Sequence, residues 1–547
     1  MAIKVALISL NNRQYNQNYF DNYEPLALPV LKGHLLHRFE DKIEISNIDM
    51  QLKEYDAPKK VLSFLTIFKP DIIGISVPWG TLHILDSLIE SIFKNKNPEW
   101  SPIVVLGKQL PSNFPEIIID RYGTYPILVA IGPGEYTLED LVNLKKSAKQ
   151  ISDVRNIVYK QSDKFIYNKT ADKFNVIAPA FHEKINKYNI IGLQSSRGCS
   201  WSRCSFCLRI EDNKGLVQPW SPVDVPIVIE EMIKLSDMGV KGVNIVDENF
   251  IGGQNGLPRL QEFIKAIKYS KKKNIINKHF LFSISIRVDE ILTLERVGLL
   301  KPLKESGLCF VFVGIESCSN SQLKRYNKGI DTNAIKRAVL LLQKYNIPFE
   351  AGFILLDPFV SLKELKENID LMEWNFGTSM LVDFIANPLN RGRIFYKSPL
   401  YYQIAHNHRE LLRELNLNKG QYDYVFFDSG VQKIVNMIET WYPDSFHNSF
   451  IKPIRHIIMH SIHNFQDVFV YTALQKYASG FRRIELGFLK KIIDLHEKRL
   501  SAKKIEKIIT WLDEKRDSYI LDLEKSISLP MEYKNAIEKI INNAKKT

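Results

Sequence analysis

The sequence predicts an α/β protein in three parts: a doubly wound parallel sheet over residues 1–150, a partial (β/α)6 parallel barrel over 188–386, and a helical part over 387–547. Short apolar runs alternate with stretches of helical period in two trains, one before residue 150 and one from Ile190. A polar, mixed linker at 151–187 separates them, and beyond about residue 387 the strand signal fades into helical patterns. Strand–helix alternation with short connections implies parallel sheets covered by helices.

The first train reads as strand Lys4–Leu10, helix Pro29–Phe39, strand Ile43–Ile48, helix Lys59–Phe68 and strand Ile72–Val77. Helix His83–Lys94, strand Ile103–Gly107, helix Asn113–Tyr122, strand Ile127–Ile131 and helix Tyr136–Lys146 complete it. Doubly wound sheets bind ligands at the carboxyl ends of their strands. Those ends carry Gly74-Ile75-Ser76-Val77-Pro78-Trp79-Gly80, Gly107 and Gly132-Pro133-Gly134-Glu135. A single glycine there only makes a tight turn, whereas three such ends on one sheet edge point to a ligand.

The linker holds a hairpin-like piece around Ile157–Tyr167. The second train has strands at Ile190–Gln194, Gly242–Val246, Leu281–Ile286, Phe310–Gly314, Phe349–Leu355 and Leu381–Ile385. Its helices fall near Val223–Met238, Leu257–Lys271, Ile291–Glu305, Thr332–Tyr345 and Leu362–Trp374. The last places Leu362, Leu365, Ile369 and Met372 at helical spacing against a sheet. In the tail, helices are expected at Ile484–Arg499, Lys503–Leu523 and Met531–Ala544, and no internal repeat occurs.

At 547 residues the chain exceeds what one hydrophobic core serves. The net charge of +13 comes from lysines spread along the chain among Glu and Asp, which reads as a solvated surface, so nucleic acid is not an expected partner. No apolar run approaches a membrane span, and the N-terminus reads as a first strand rather than a leader. Five cysteines occur, three of them within nine residues, the distribution of a metal or redox site in a reducing cytoplasm rather than of a disulfide framework.

Those three are Cys199, Cys204 and Cys207, in a loop that directly follows the first strand of the second train. Active sites of parallel barrels lie at that edge. Clustered thiolates select zinc, copper or an iron–sulfur cluster. A closed zinc site needs a fourth ligand, and no histidine stands between Cys207 and His279, while the next cysteines are Cys309 and Cys318. A cubane with three protein ligands leaves one iron open to bind a substrate or cofactor. Iron–sulfur is the reading that fits, with zinc or unrelated thiols as the alternatives.

The loop resembles the cluster loop of the radical S-adenosylmethionine (SAM) superfamily, with four residues rather than the usual three between Cys199 and Cys204. In that superfamily the open iron chelates the amino and carboxylate groups of SAM. Residues 188–360 follow the resemblance in order. Val243–Phe250 looks like the second strand, whose end, at Asp247 and Glu248, contacts the amino group, and Ser283–Arg287 like the third, with Ser285 and Arg287 toward the carboxylate or ribose. Gly314-Ile315-Glu316-Ser317 with Leu323–Gly329 is similar to the fourth-strand signature, and Gly352–Pro358, with Gly352 and Ile354, to the adenine-packing segment. Phe206 in the cluster loop completes the expected SAM set.

Residues 1–145 resemble the flavodoxin-like cobalamin domain that precedes the barrel in one branch of the superfamily, through Pro70–Ser76, Ile103–Gly107 and Ile131–Leu138. The resemblance implies cobalamin contacts from Ser76, Val77, Pro78, Trp79, Gly107, Gly132, Gly134 and Glu135. The histidines before the linker are His34, His37 and His83, none in the cobalt-ligating context of mutases, so a histidine-off corrinoid is expected. The resemblance thus implies a 4Fe-4S cluster, SAM and cobalamin, a reductant such as flavodoxin or ferredoxin, and methyl transfer to an unactivated carbon or to phosphorus of a natural-product or peptide substrate. Radical cyclisation or rearrangement is the alternative on the same scaffold, and a first domain that keeps its fold without the cofactor is another reading.

A transfer-RNA modifier of the same superfamily would carry additional N-terminal cluster cysteines, and no cysteine precedes Cys199. A cobalamin-dependent sensor would need no open iron. The tail, entered at Asn387–Arg393 and Ser398–Tyr402, is expected to cap the barrel and set specificity. Trp441, Tyr442, Tyr471 and Phe481 read as core, and Cys309 and Cys318 as strand packing.

Overall fold

The computed structural model describes residues 2–11, 23–94, 100–146, 150–171, 176–188, 190–208, 219–375, 380–381 and 391–441, and helical residues 483–484, 486–496, 502–526, 534–535 and 538.

The first sheet contains β1 (Ile3–Ser9), β2 (Ile43–Asp49), β3 (Ile72–Ser76), β4 (Ile103–Gly107), β5 (Ile127–Ala130), β6 (Ile157–Gln161) and β7 (Lys164–Tyr167), in the order β2-β1-β3-β4-β5-β6-β7. Strands β1 to β5 are parallel. Strand β1 is apolar without alternation because both its faces are covered. Ala6 and Ile8 pack with Val61, Leu65 and Leu85 of helices Pro58–Phe68 and Leu82–Lys94. Val5 and Leu7 pack with Leu35, Leu138 and Leu141 of helices Ala27–Phe39 and Glu135–Lys145. The strand order reverses between β1 and β3, the switch point at which such sheets open a ligand crevice.

The hairpin inside the expected linker is not a loose connection. Strand β6 pairs antiparallel with β5 and β7 with β6, so it forms the edge of the first sheet. Its outer residues Lys160, Gln161 and Lys164 are exposed, which suits an edge strand and removes the apolar run that would have marked it as part of the sheet.

The second sheet is parallel and sequential: β8 (Gly192–Leu193), β11 (Gly242–Ile245), β12 (Leu281–Arg287), β13 (Leu308–Glu316), β14 (Phe349–Phe353) and β15 (Met380–Leu381). A two-stranded ribbon, β9 (Ser196–Arg197) with β10 (Ser221–Pro222), lies beside it. The remainder of the expected sixth strand, Val382–Ile385, is outside the described residues. Val243, Ile245, Phe282, Ile284, Val311 and Val313 face the helices in one core. The alternate positions carry Asn244, Ser283, Ser285, Arg287, Gly314 and Gly352, so the inner face is polar or small. Two large apolar side chains of this sheet stay open, Val246 at 43% and Phe312 at 39% exposure, as expected of a lumen that takes a ligand.

The third part is more than helical. Besides helices Pro399–Asn407, Ser429–Trp441 and Ala502–Ser526, it forms a small antiparallel sheet of β16 (Ile394–Phe395), β17 (Leu412–Asn416) and β18 (Gln421–Tyr424). This sheet docks on the first one, where the Gly80 amide donates to the Asn418 carbonyl at 2.8 Å and the Leu82 amide to Asn418 Oδ1 at 3.1 Å. Tyr442, Tyr471, Phe481 and the side chain of Trp441 lie outside the described residues, as do Asn387–Asn390 and most of Met531–Ala544. Among the described residues no helix is long and apolar enough to cross a membrane.

Candidate functional site

The cysteine loop is fixed from two sides. The Trp201 indole donates to the Asn327 carbonyl at 2.8 Å, Asn327 donates to the Arg203 carbonyl at 3.0 Å, and the Ser205 amide and hydroxyl donate to the Tyr326 and Arg325 carbonyls. Gly329, at φ +69°, has no room for a side chain because a Cβ would strike the Trp201 ring at 2.3 Å. On the other side, Ser200 Oγ donates to Asn249 Oδ1 at 2.8 Å, and Asn249 donates to Glu290 at 2.7 Å. Glu290 also accepts from the Gly253 and Arg287 amides. Segments 326–329 and 249–253 therefore hold the loop as a preformed turn.

The thiols share one environment. Burial pushes the Cys207 thiol up to about 12, with Cys204 and Cys199 adding to the shift. Burial also raises Cys204, against the pull of Lys328. Without a positive centre Cys204 and Cys207 would stay protonated at neutral pH, so placing them together favours a ligand that takes their charge. Among the described residues no three His, Cys, Asp or Glu side chains converge tightly enough for a single metal ion. Cys309 and Cys318 belong elsewhere. The Cys309 thiol donates to the Phe282 carbonyl at 3.2 Å with its pKa pushed up by burial to about 12, and Cys318 lies in the barrel core.

Five of the expected SAM residues gather beside Cys204 around Lys328, whose role the sequence did not disclose. Lys328 pairs with Glu316 at 3.3 Å and lies 6.0 Å from the Phe206 ring, and its carbonyl accepts from Arg287 at 2.9 Å. Arg287 lies 4.6 Å from the Trp201 ring. Glu316 takes a left-handed backbone, φ +66°, and its carbonyl accepts from the Ile354 amide at 2.8 Å. A Cβ at Gly352 would meet the Phe312 ring at 2.8 Å and Glu316 Oε2 at 3.5 Å, so the absent side chain leaves the lumen clear. Ser285 lies half-buried on β12 opposite Phe312.

Asp247 is used differently. It is 2% exposed, and its oxygens accept from the Ser195 amide and the Ser195 and Ser196 hydroxyls at 2.6–2.8 Å, which ties β11 to the strand that launches the cysteine loop. Burial raises its pKa to about 6 against those hydrogen bonds. Its carboxylate is thus a latch, while Glu248 accepts from the Gly198 amide at 3.2 Å and faces the cavity described next.

A cavity of about 510 Å³ opens over the carboxyl ends of β1, β3, β4 and β5 and reaches Gln194, Arg197, Val246 and Glu248 of the barrel. Of the eight residues expected there, Ser76, Gly107, Gly132, Gly134 and Glu135 line it. Val77, Pro78 and Trp79 are not among its lining. Val77 is fully buried in the first core, and Trp79 stacks on Phe395 and packs against Gly420, whose Cβ would meet its ring at 2.2 Å. The Trp79 ring therefore seats the small C-terminal sheet. Glu135 is ion-paired with Arg197, and the pair bridges the glycine loop after β5 to the residue two before Cys199. Burial pushes the Glu135 carboxyl up, but the Arg197 guanidinium wins and holds it below its usual range.

Two observations suit the cavity to a large ligand such as a corrinoid. The buried Ser76 hydroxyl has no partner, and a Cβ at Gly107 would project into space with nothing nearer than Ala130 Cβ at 4.0 Å. Between Arg197 and Leu208, both of which line the cavity, the three thiols are soft donors of the kind that hold an iron–sulfur cluster.

Three thiols on a barrel edge and a ligand-ready edge on the first sheet point to a class, and comparison agrees: residues 193–372 match the Radical SAM superfamily, so the chain carries a domain of that kind. Its fold is similar to those of solved cobalamin-dependent radical SAM enzymes. The structure of OxsB with aqua-cobalamin and S-adenosylmethionine bound superposes with a TM-score of 0.80 at 21% identity, over 99% of this chain and 84% of that one. TsrM of Kitasatospora setae, a radical SAM methyltransferase with cobalamin and a [4Fe-4S] cluster bound, superposes with a TM-score of 0.66 at 14% identity, over 91% and 100%. In sequence the chain is 28% identical over 425 residues to 4'-phospho-dehydrooxetanocin synthase of Priestia megaterium, 74% of this chain and 54% of the synthase. The chain thus spans little more than half of that relative.

Proposed function

We propose that this chain is a cobalamin-dependent radical SAM enzyme that methylates an unactivated carbon, or phosphorus, of a small-molecule or peptide substrate. The observation that carries the reading is that the glycine-lined cavity of the first sheet reaches Arg197 and Leu208, which flank the cysteine loop, and Gln194, Val246 and Glu248 of the barrel. Cys199, Cys204 and Cys207 would hold the cluster. SAM would lie along Phe206, Glu248, Ser285, Arg287, Glu316, Gly352 and Ile354, and cobalamin on Ser76, Gly107, Gly132, Gly134 and the Glu135 backbone. When bound, the cluster with SAM supplies one-electron hydrogen-abstraction chemistry and the corrinoid a transferable methyl group.

The protein's own part is placement. Lys328 and Arg287 put positive charge beside the thiols, Glu316 offers a carboxylate at the lumen, and the open faces of Phe312 and Val246 shed water around a reactive carbon centre. The reading includes the division at 1–150, 151–187, 188–386 and 387–547, with the hairpin structurally part of the first unit, a flavodoxin or ferredoxin as reductant, and a reducing cytoplasm as the compartment. A second reading, radical rearrangement without methyl transfer, is favoured by the similarity to a protein named as a dehydrooxetanocin synthase. Product analysis after anaerobic reconstitution with a reductant separates them. Methylation yields S-adenosylhomocysteine beside 5'-deoxyadenosine, rearrangement yields 5'-deoxyadenosine alone, and the absence of both contradicts the enzyme reading.

A further inference from the structure

We propose that Lys108 is an anion-binding residue on the floor of the interdomain cavity, placed to take the phosphodiester of a corrinoid's nucleotide arm. The inference rests on the reading that this cavity takes cobalamin.

Lys108 follows the last residue of β4, with φ +78° and ψ −170°. That region of backbone space is essentially restricted to glycine, and a side chain kept there costs stability. Such strain persists where the side chain is needed, most often at ligand clamps. The Lys108 side chain lines the cavity and makes no hydrogen bond or ion pair among the described residues. It is open to the cavity yet walled by protein, and this enclosure lowers its pKa. The one carboxylate that acts on it, Asp49, is already engaged by the Gln51 amide at 2.9 Å and the Tyr188 hydroxyl at 2.8 Å. An ammonium walled by protein with no counter-ion beside it favours a ligand that brings one.

The other charged residues of the lining are accounted for. Glu135 and Arg197 neutralise each other, and Glu248 accepts from Gly198. Lys108 is left as an unmatched charge, and the unpartnered Ser76 hydroxyl lies nearby, since Ser76 pairs in register with Gly107. A cation and a hydroxyl at the ends of adjacent strands form a two-point cradle for a phosphate oxygen. On a corrinoid the peripheral amides are neutral, and the phosphodiester is the peripheral group that carries a full negative charge. A phosphorylated substrate offers the same chemistry, but Lys108 stands on the first sheet rather than on the barrel wall beside the thiols.

The test uses the full chain with its cluster reconstituted, titrated with hydroxocobalamin and with cobinamide, which lacks the nucleotide arm and its phosphate. The wild type is expected to bind cobalamin roughly 10–100-fold more tightly than cobinamide, the range of a charge-assisted hydrogen bond. Lys108→Gly and Lys108→Gln should lose most of that preference and bind cobinamide as the wild type does. Lys108→Gly should also melt at a higher temperature, because glycine accepts the backbone conformation. Stabilisation of the corrinoid-free wild type, but not of the variants, by inorganic phosphate or AMP would assign the anion to a free phosphorylated molecule. Variants that keep the full preference and show no loss of phosphate response overturn the proposal while leaving the cofactor reading intact. A wild type that binds neither corrinoid and ignores phosphate overturns both.

Discussion

The two carboxyl edges that face the shared cavity treat their polar groups in opposite ways. At the barrel edge nearly every polar side chain is spoken for. Asp247 is tied to Ser195 and Ser196, Asn249 to Ser200 and Glu290, and Gln322 to Asp357 and Tyr326. Arg325 is held by Asp357 and Glu364, and Asn368 by Gln322. At the edge of the first sheet, Ser76 and Lys108 stand among glycines with no side-chain partner among the described residues. The first pattern belongs to a scaffold that holds three thiols in place before anything binds, and the second to a cradle completed by its ligand.

That contrast can be broken at each edge. Cys204→Ala should have the largest effect, reducing bound iron from about four per chain to near none while corrinoid binding survives, as iron and absorbance assays on the same sample would show. If corrinoid retention fell with the iron, the edges would not be independent. Arg197→Met comes next, because it leaves Glu135 buried and unpaired, and should cost about 3–5 kcal/mol in chemical denaturation. Arg197→Met with Glu135→Gln together should recover part of that loss.

The third concerns the connection between the first two parts. His182 is buried between Glu24 at 2.6 Å and Glu231 at 3.2 Å, so it links the segment before the first helix to the barrel helix Val225–Asp237. Burial alone would lower its pKa, but the two carboxylates win and raise it to about 9. A folded value above the ordinary 6.5 means that its stabilisation is complete below about pH 6.5 and is lost as pH climbs through about 9. Thermal melts of the wild type at pH 6 and pH 9.5 should therefore differ by more than those of His182→Gln, by about 1–3 kcal/mol, and equal differences would remove the His182 link. The smallest effect is expected of Gly107→Val, which fills part of the cradle and should weaken corrinoid binding about 10-fold with iron unchanged.

Much of this was legible in the sequence, for physical reasons. Strands β1, β3, β4 and β5 lie inside the first sheet and read as largely apolar runs, and the cysteine spacing marks its loop without any structure. The β6–β7 hairpin was legible at Ile157–Tyr167, but its place on the first sheet was not, because an edge piece with Lys160 and Lys164 facing water shows no such run. Strands β16 to β18 were hidden because they are short, from two to five residues. The packing of Trp79 on Phe395 and Gly420 was not legible, because an aromatic at a strand end resembles a ligand contact and these partners lie more than 300 residues away. Lys328 and Asn327 carried a recognisable signature without a role, since the loop they hold is more than 100 residues earlier. Lys108 needed the backbone: nothing in Gly107-Lys108-Gln109 announces that the lysine adopts a glycine conformation.

The most direct test of the account is the cofactor content of the intact chain, purified without oxygen, reconstituted with iron, sulfide and hydroxocobalamin, and desalted. The account predicts about four irons and about one corrinoid per chain, the iron lost in Cys204→Ala and the corrinoid weakened in Gly107→Val. A cluster without corrinoid would contradict the central claim that the first sheet's edge is a cobalamin cradle.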